Sequence, residues 1–588
     1  MERAADPSRP TSAGTGDVQL TGVTALAASG GTVLRTRQVG ADVVELTARA
    51  ADDRPGLRVE VDLGAAVGYW HPGADSAQLL QPDWAGSSAT GLVSSAPVGA
   101  LYDASGSVLL AWAASEAVAE LCVTTGVSEE RKTFVVDVRT VRPSSAPLQV
   151  VLDTSGGPLA ATLSRLATWV SDRLPGSPLP VPPVAEQPVY STWYTFTQDV
   201  DAELVTGEAR LAAELGCGSV FVDDGWQRLA HGRGYQGCGD WVPDPAKFPD
   251  LAATVRDLRA TGLGVALWVA PLLLGEESDA FATMAPFAPH REDRLSCHVL
   301  DPRRPETRAF VVDTCLRLVT EHGADLLKID FLEQAMAYRD APPAGDVAYV
   351  GEAMARLLGE LREGLTRAGR PGVAFEFRQP YVSPAIARYG EILRAHDCPA
   401  DSVTNRAASV NARLLAVGQV IHADPMMWGP AGGAAAVAQQ LYAGWFAVPQ
   451  ISMRLATLDQ EQRTALRGLL RLWREHSEVT LHGELQVLGP ERGYDVVTAT
   501  RADLDRSVTV RSAPVVVDLD TQPVTGVSVV NATPEPVLLA RTSRQVLGGV
   551  VRSSSGAETG GLSPTGPGLL ELAVPAWGSV TLRLGQPA

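Results

Sequence analysis

Long apolar runs are missing from this 588-residue chain, and no stretch reaches the uninterrupted length of a membrane span. A membrane is therefore not an expected partner. Cysteine is scarce: Cys122, Cys217, Cys238, Cys297, Cys315 and Cys398 are scattered without CxxC spacing. That pattern suits a reduced compartment better than a disulfide framework or a zinc site, so no metal is expected. Positive charge is in short supply, with 49 Lys and Arg against 67 Asp and Glu. The resulting net charge of −18 repels phosphate backbones and anionic surfaces, which argues against nucleic acid and leaves a small neutral substrate unaffected. There is no Walker loop and no HExxH. The one literal GxGxxG, Gly232 to Gly237, does not sit between a strand and a helix in a βαβ unit, so neither a dinucleotide nor any other cofactor is expected. The opening Met1–Pro10 lacks the apolar core of a secretory signal, which predicts a cytoplasmic protein.

What the chain does have is a change of texture along its length. At 588 residues it is too long for one core. Residues 1–156 alternate apolar and polar positions in short runs, as in Thr133-Phe134-Val135-Val136-Asp137-Val138, predicting a β-sandwich. Aromatics in its turn-rich stretches, Tyr69 and Trp70 and then Trp84, read as plugs for the end of that sandwich. Residues 157–184 read as a helix running into the stiff Pro175–Pro183 linker. From 185 to 480 strand-like runs alternate with helix-length segments, the signature of a parallel (β/α)8 barrel of the TIM type. The candidate strands are Val189–Phe196, Ser219–Val222, Gly264–Val269, Leu326–Asp330, Val373–Phe377, Glu391–Ala395 and Val420–Ala423. His298–Asp301 is an eighth candidate or a loop excursion. Residues 481–588 return to alternation and predict a small C-terminal β-sandwich.

Barrel chemistry sits at the C-terminal ends of strands. Reading off those ends gives Trp193 and Tyr194; Asp223, Asp224, Gly225 and Trp226; Trp268; Lys328 and Asp330; Glu376 and Arg378; Arg394 and Asp397; and His422 and Asp424. Lys328 and Asp330, two residues apart, point to one face of their strand. They are either a buried ion pair or part of a site. Carboxylates mixed with aromatics at a barrel mouth suit a carbohydrate, whose hydroxyls carboxylates bind and whose apolar ring face aromatics cover.

Together, Val222-Asp223-Asp224-Gly225-Trp226, Gly239-Asp240-Trp241 with Lys247-Phe248-Pro249, Leu327-Lys328-Ile329-Asp330-Phe331-Leu332 and the Arg394 to Asp397 segment resemble glycoside hydrolase family 36, the α-galactosidase and raffinose-synthase family. The resemblance implies a retaining mechanism with Asp330 as nucleophile and Asp397 as acid/base. It makes Asp223 and Asp224 the pair on the sugar's O4 and O6, Lys328 and Arg394 hydroxyl contacts near the nucleophile, and Trp193, Tyr194 and Trp268 pocket walls. Phe331 belongs to the matching strand motif, and Trp70 matches an N-terminal-domain tryptophan that reaches into the pocket. Lys328 and Arg394 are expected to keep Asp330 ionised, while a dry setting and a nearby carboxylate raise the pKa of Asp397. Asp401 is a rival acid.

One segment departs from the family. Where the family commonly has a Cys/Gly-rich turn near the sugar's O2, this chain reads Phe375-Glu376-Phe377-Arg378-Gln379-Pro380, so Glu376 or Arg378 is expected at O2. The C2 substituent is thereby left open, and three related enzymes stand as alternatives: α-N-acetylgalactosaminidase, β-L-arabinopyranosidase and α-galactosyl transglycosylase. From another class the rival is a non-catalytic sugar-binding protein, although a binder has no need of two barrel-mouth acids.

Overall fold

Alternation places one face of each N-terminal strand against its opposite sheet. In this computed structural model, which describes residues 20–29, 32–50, 53–73, 78–144, 146–521 and 523–586, two antiparallel sheets result. One runs in the order Val23–Ser29, Gly56–Asp62, Thr133–Thr140, Leu121–Ser128, Ser87–Thr90. The other runs Val33–Gly40, Val43–Arg49, Leu148–Asp153, Val108–Ala114, Val98–Asp103, Ala66–Trp70. Val59, Val136, Leu46, Leu110 and Trp112 from the two sheets share one core. Tyr69 and Trp70 lie on a strand, not in a loop. Tyr69 faces the core and accepts a hydrogen bond from Trp112 Nε1 at 3.0 Å, and Trp70 is fully buried on the other face. Trp84, predicted to plug the sandwich, is instead 77% exposed. The helix Leu159–Ser171 falls in the same compact unit as the sandwich, which extends to Pro175. Met1–Pro10, on which the cytoplasmic expectation rests, lies outside the described residues; among the described residues no helix is long and apolar enough to cross a membrane.

The second compact unit holds a TIM barrel and a C-terminal sheet domain. The barrel strands are β1 (Val189–Ser191), β2 (Ser219–Val222), β3 (Gly264–Val269), β4 (Leu326–Ile329), β5 (Ala374–Arg378), β6 (Ile392–Arg394), β7 (Val420–His422) and β8 (Gln450–Ile451). All pair in parallel, in order, with β8 beside β1. Closure is thin: Val448 donates to Ile421 O at 2.8 Å and accepts from Ala423 N at 3.0 Å, just ahead of β8. Helices α1 (Ala202–Leu215), α2 (Leu251–Ala260), α3 (Pro305–Thr320), α4 (Val350–Arg367), α5 (Ser402–Leu415), α6 (Gly433–Ala443) and α7 (Gln460–His482) cover it. Aspartates 201, 250, 401 and 459 cap α1, α2, α5 and α7 by accepting from first-turn amides.

One strand expectation is corrected, and the open choice at His298–Asp301 falls to the loop excursion. The first strand stops at Ser191, and Trp193–Phe196 form a helical turn. Residues 297–299 are the middle strand of a small antiparallel sheet with Leu273–Leu274 and His290–Glu292, an excursion from the loop after β3, while the eighth barrel strand is Gln450–Ile451. After α7 a seven-stranded and a three-stranded sheet share a core of residues such as Val529, Leu582, Leu538 and Leu570.

Candidate active site

Each functional side chain follows from where its strand ends. Past β2 the chain turns sharply at Gly225, whose φ is +128° and where a Cβ would lie 2.8 Å from the Gln198 backbone; any larger residue would push the tandem aspartates out of place. Asp223 accepts from Lys328 Nζ at 2.6 Å. The lysine's hydrogen-bonded partner is thus Asp223, across the barrel mouth, and not Asp330 on its own strand. Burial pulls the Lys328 pKa down, but the charges of Asp223, Asp330 and Glu376 together more than offset it and the ammonium stays protonated. Asp224 accepts from Gln227 Nε2 at 2.6 Å and Gln198 Nε2 at 2.8 Å. Burial pushes its carboxyl up to about 6.

Asp330, one residue past β4, is held from three sides. Trp268 Nε1 donates to Oδ2 at 3.1 Å, and Phe331 N donates to Oδ1 at 2.7 Å, as does Arg378 Nε. Burial works to raise its pKa, but the charges of Arg378, Lys328 and Arg394 win and hold the carboxyl well below the usual carboxylate range. Phe331 makes this possible by adopting φ +58°, a left-handed conformation that is costly for a bulky residue and that turns its own N–H back onto Asp330. Its ring meets Tyr235 edge-on at 5.1 Å, and Tyr235 also lies 6.3 Å from Trp268. Tyr235 belongs to the GxGxxG stretch, which forms part of the loop after β2; a glycine-rich loop there was the available signal, but its aromatic had to be read instead of its glycines.

Arg378, at the end of β5, spends its donors on Asp330, on Glu333 Oε1 at 2.7 Å and on Gln379 O at 2.9 Å. Glu376 lies in the barrel interior: it is 1% exposed and accepts from Gln450 Nε2 at 2.6 Å, with His422 Nδ1 at 2.7 Å. The expectation that it faces a sugar O2 at the mouth does not match that position; two residues before Arg378 on the same strand, it lies deeper on the same face. Arg394 on β6 reaches Asp397 Oδ1 at 2.8 Å and also binds Asp424. Asp397 has a side chain 53% exposed. Burial and the Asp330 charge raise its pKa, but the charges of Arg394, Lys328 and Arg378 together outweigh them, so the carboxyl lies below its ordinary value, opposite to the sequence expectation. Asp401 is occupied elsewhere, capping α5 through Val403 N and Thr404 N at 3.1 and 3.0 Å. Tyr194, on the turn after β1, donates to Asp424 at 2.9 Å, and Trp193 beside it is partly exposed. Trp70 belongs to the other compact unit.

The structure therefore brings Asp223, Asp224, Trp268, Lys328, Asp330, Phe331, Arg378, Arg394, Asp397 and Tyr194 to linked positions at the strand ends. Gln198, Gln227, Tyr235, Glu333 and Asp424 join them without having been singled out as site residues. Among the described residues no group of His, Cys, Asp and Glu is arranged to hold a metal ion.

Residues 184–347 match the melibiase family model. The match covers the first half of the barrel, which is similar to a melibiase domain. That half carries Asp223, Asp224, Trp268, Lys328 and Asp330, and leaves Arg378, Arg394 and Asp397 outside the match. Over 178 residues the chain is 26% identical to a probable alpha-galactosidase C of Aspergillus flavus, covering 28% of this chain and 23% of that one. It is 28% identical over 155 residues to alpha-galactosidase AgaA of Geobacillus stearothermophilus, covering 25% and 21%. The alignable part thus spans about a quarter of the length of these curated relatives. The fold likeness runs much further. The crystal structure of GH36 alpha-galactosidase AgaB from G. stearothermophilus superposes with a TM-score of 0.62 at 16% identity, over 97% of this chain and 85% of that one. A crystal structure of AgaA in complex with raffinose gives 0.60 at 16%, over 95% and 81%. The chain is α-galactosidase-like, and its melibiase match agrees with the family-36 motifs in its sequence.

Proposed function

We propose that this protein is a retaining exo-glycoside hydrolase that removes terminal α-galactosyl residues from oligosaccharides or glycosides by double displacement. The observation that carries the reading is the contrast between two carboxylates at strand ends. Asp330 is buried and held anionic by three cations, as a nucleophile requires. Asp397 is half exposed and, among the described residues, its side chain accepts one hydrogen bond, from Arg394, as suits a group that must take up and release a proton. In the first displacement Asp330 attacks the anomeric carbon while Asp397 gives its proton to the departing glycosidic oxygen, leaving a galactosyl ester on Asp330. In the second, Asp397 takes a proton from water, which attacks the same carbon and frees Asp330. A sugar seated over Asp330 excludes water from Asp397 and thereby favours its protonated form. Asp223 and Asp224 are the acceptors for hydroxyls at the far side of the ring, and Trp193, Tyr194 and Trp268 supply the walls. The relatives are named alpha-galactosidases, and raffinose is bound in the AgaA structure.

A panel of nitrophenyl glycosides tests the sugar, with the α-galactoside expected to turn over fastest. Azide rescue tests the roles. Asp330→Gly should be inactive on all substrates, and azide should restore turnover with a product of inverted configuration. Asp397→Gly should lose most on poor leaving groups, and azide should give retained configuration. Exchanged configurations, or equal leaving-group sensitivity in the two variants, refute the assignment.

A further inference from the structure

Asp424 makes more of the site's contacts than any role so far requires. It follows β7 directly and is completely buried. Its Oδ2 accepts from Tyr194 OH at 2.9 Å and from the backbone N–H of Cys398 at 2.8 Å, and its Oδ1 accepts from Arg394 Nη1. Its own backbone is clamped from both sides by one side chain on α5: Asp424 N donates to Asn405 Oδ1 at 3.0 Å, and Asn405 Nδ2 donates to Asp424 O at 3.0 Å. One carboxylate thus ties the turn after β1, the end of β6 and the residue following Asp397 to a fixed helix.

Asp397 has no comparable support. Among the described residues its side chain makes one hydrogen bond, to Arg394 Nη2, and its chain neighbour Cys398 is held by Asp424. Two attachments of Asp397, through Arg394 and through Cys398, therefore lead to Asp424, while its other neighbour His396 donates its backbone N–H to Gln379 Oε1 at 3.0 Å. We propose that Asp424 is a positioning residue that sets where Asp397 stands, by fixing the Arg394 guanidinium on one side and the Cys398 amide on the other. This rests on the reading of Asp397 as acid/base. Asp424 touches no reacting atom: its effect passes through Arg394 and the 395–398 segment. A second carboxylate buried beside a cation is often merely structural, so the test must read the position of Asp397 and not only the amount of folded protein.

The test is Asp424→Asn, near in shape but unable to hold Arg394 as an ion pair. Its kcat/KM, which reports only the first displacement, is measured on raffinose and on p-nitrophenyl α-galactoside. If Asp397 is displaced, raffinose, whose leaving group needs a proton, should lose about 100-fold, the scale of a misplacement near 1 Å. The nitrophenyl substrate, whose leaving group departs without one, should lose under about tenfold. Equal losses on both substrates overturn the proposal. Should Asp424→Asn fail to fold, Asn405→Ser, which loosens the clamp on Asp424, carries the same comparison with the same two outcomes. Wild-type protein inert on both substrates would count against the hydrolase reading, and a crystal structure of the variant then decides alone. Asp397 displaced relative to Asp330 supports the positioning role, and Asp397 unmoved relative to Asp330 overturns it.

Discussion

Asp224 titrates where an ordinary aspartate does not, and the consequence has a definite sign. Burial raises its folded-state pKa to about 6, against about 3.9 in an unfolded chain. Between those values the native state binds more protons than the unfolded one, so the contribution of Asp224 to stability is greatest below about pH 4 and falls as pH rises to about 6. Asp224→Asn removes the titration. The stability of wild type minus variant, from urea unfolding, should be larger at pH 4.5 than at pH 7, and a pH-independent difference would show that Asp224 does not titrate in this range. The same variant should lose most turnover while keeping its fold, since the carboxylate stands at a strand end and not in the core. Asp223, Asp224, Lys328 and Asp330 are legible in sequence because charge interrupting or ending an apolar strand demands an explanation. Gln198 is not, because its importance lies in a hydrogen bond to a residue 26 positions away, and Asp424 is legible only as a strand-end carboxylate, its role resting on a bond from a residue 230 positions away. The lowered pKa of Asp397 is not legible in sequence either: four charges compete there with burial, and their balance depends on placement.

At the scale of elements, α5 offers the cleanest division between fold and chemistry. Its N-cap Asp401 lies four residues after Asp397, yet its carboxylate accepts from Val403 N, Thr404 N and Thr404 Oγ1. Asp401→Ala should cost about 1 kcal/mol of stability, as a lost N-cap does, readable in a denaturation midpoint. Its leaving-group dependence should match wild type; increased sensitivity to poor leaving groups would restore Asp401 as the acid. The elements readable from sequence were those with length and pattern, such as β2, β3 and the buried leucine stripe of α4. β8 escaped because two residues display no periodicity, and the antiparallel sheet around Cys297–Val299 looks like a barrel strand when only its apolar residues are counted. The first strand was drawn too long because aromatic residues favour strands, whereas Trp193–Phe196 turn immediately at the mouth.

At the scale of the whole molecule, the sandwich, barrel and sheet-domain order was visible from texture alone, since alternation gives way to strand-helix rhythm and then returns. The assignment of Leu159–Ser171 to the sandwich unit was not, because a helix beside a proline-rich stretch looks equally like a linker. The thin closure of the barrel has a consequence for how the protein is made. Strand β1 finds its second neighbour only at β8, and Ser191 O receives Ser452 Oγ from 261 residues later. At a translation rate of about 5–20 residues per second, the first barrel strand leaves the ribosome roughly 13–50 s before its partner does. Through that interval a half-built barrel presents an unpaired edge, the kind of surface on which nascent chains aggregate. Chains arrested before Val448 should therefore be recovered as aggregates or bound to chaperones, while chains extended through α7 should be released as monomers or native oligomers; soluble, chaperone-free chains from both arrests would show that the seam carries no such burden. The candidate site assembles late for the same reason, since the strand leading to Asp330 emerges well before Asp397 and Asp424, and the ribosome completes residues 184–347, which match the melibiase family model, long before it supplies the proposed acid.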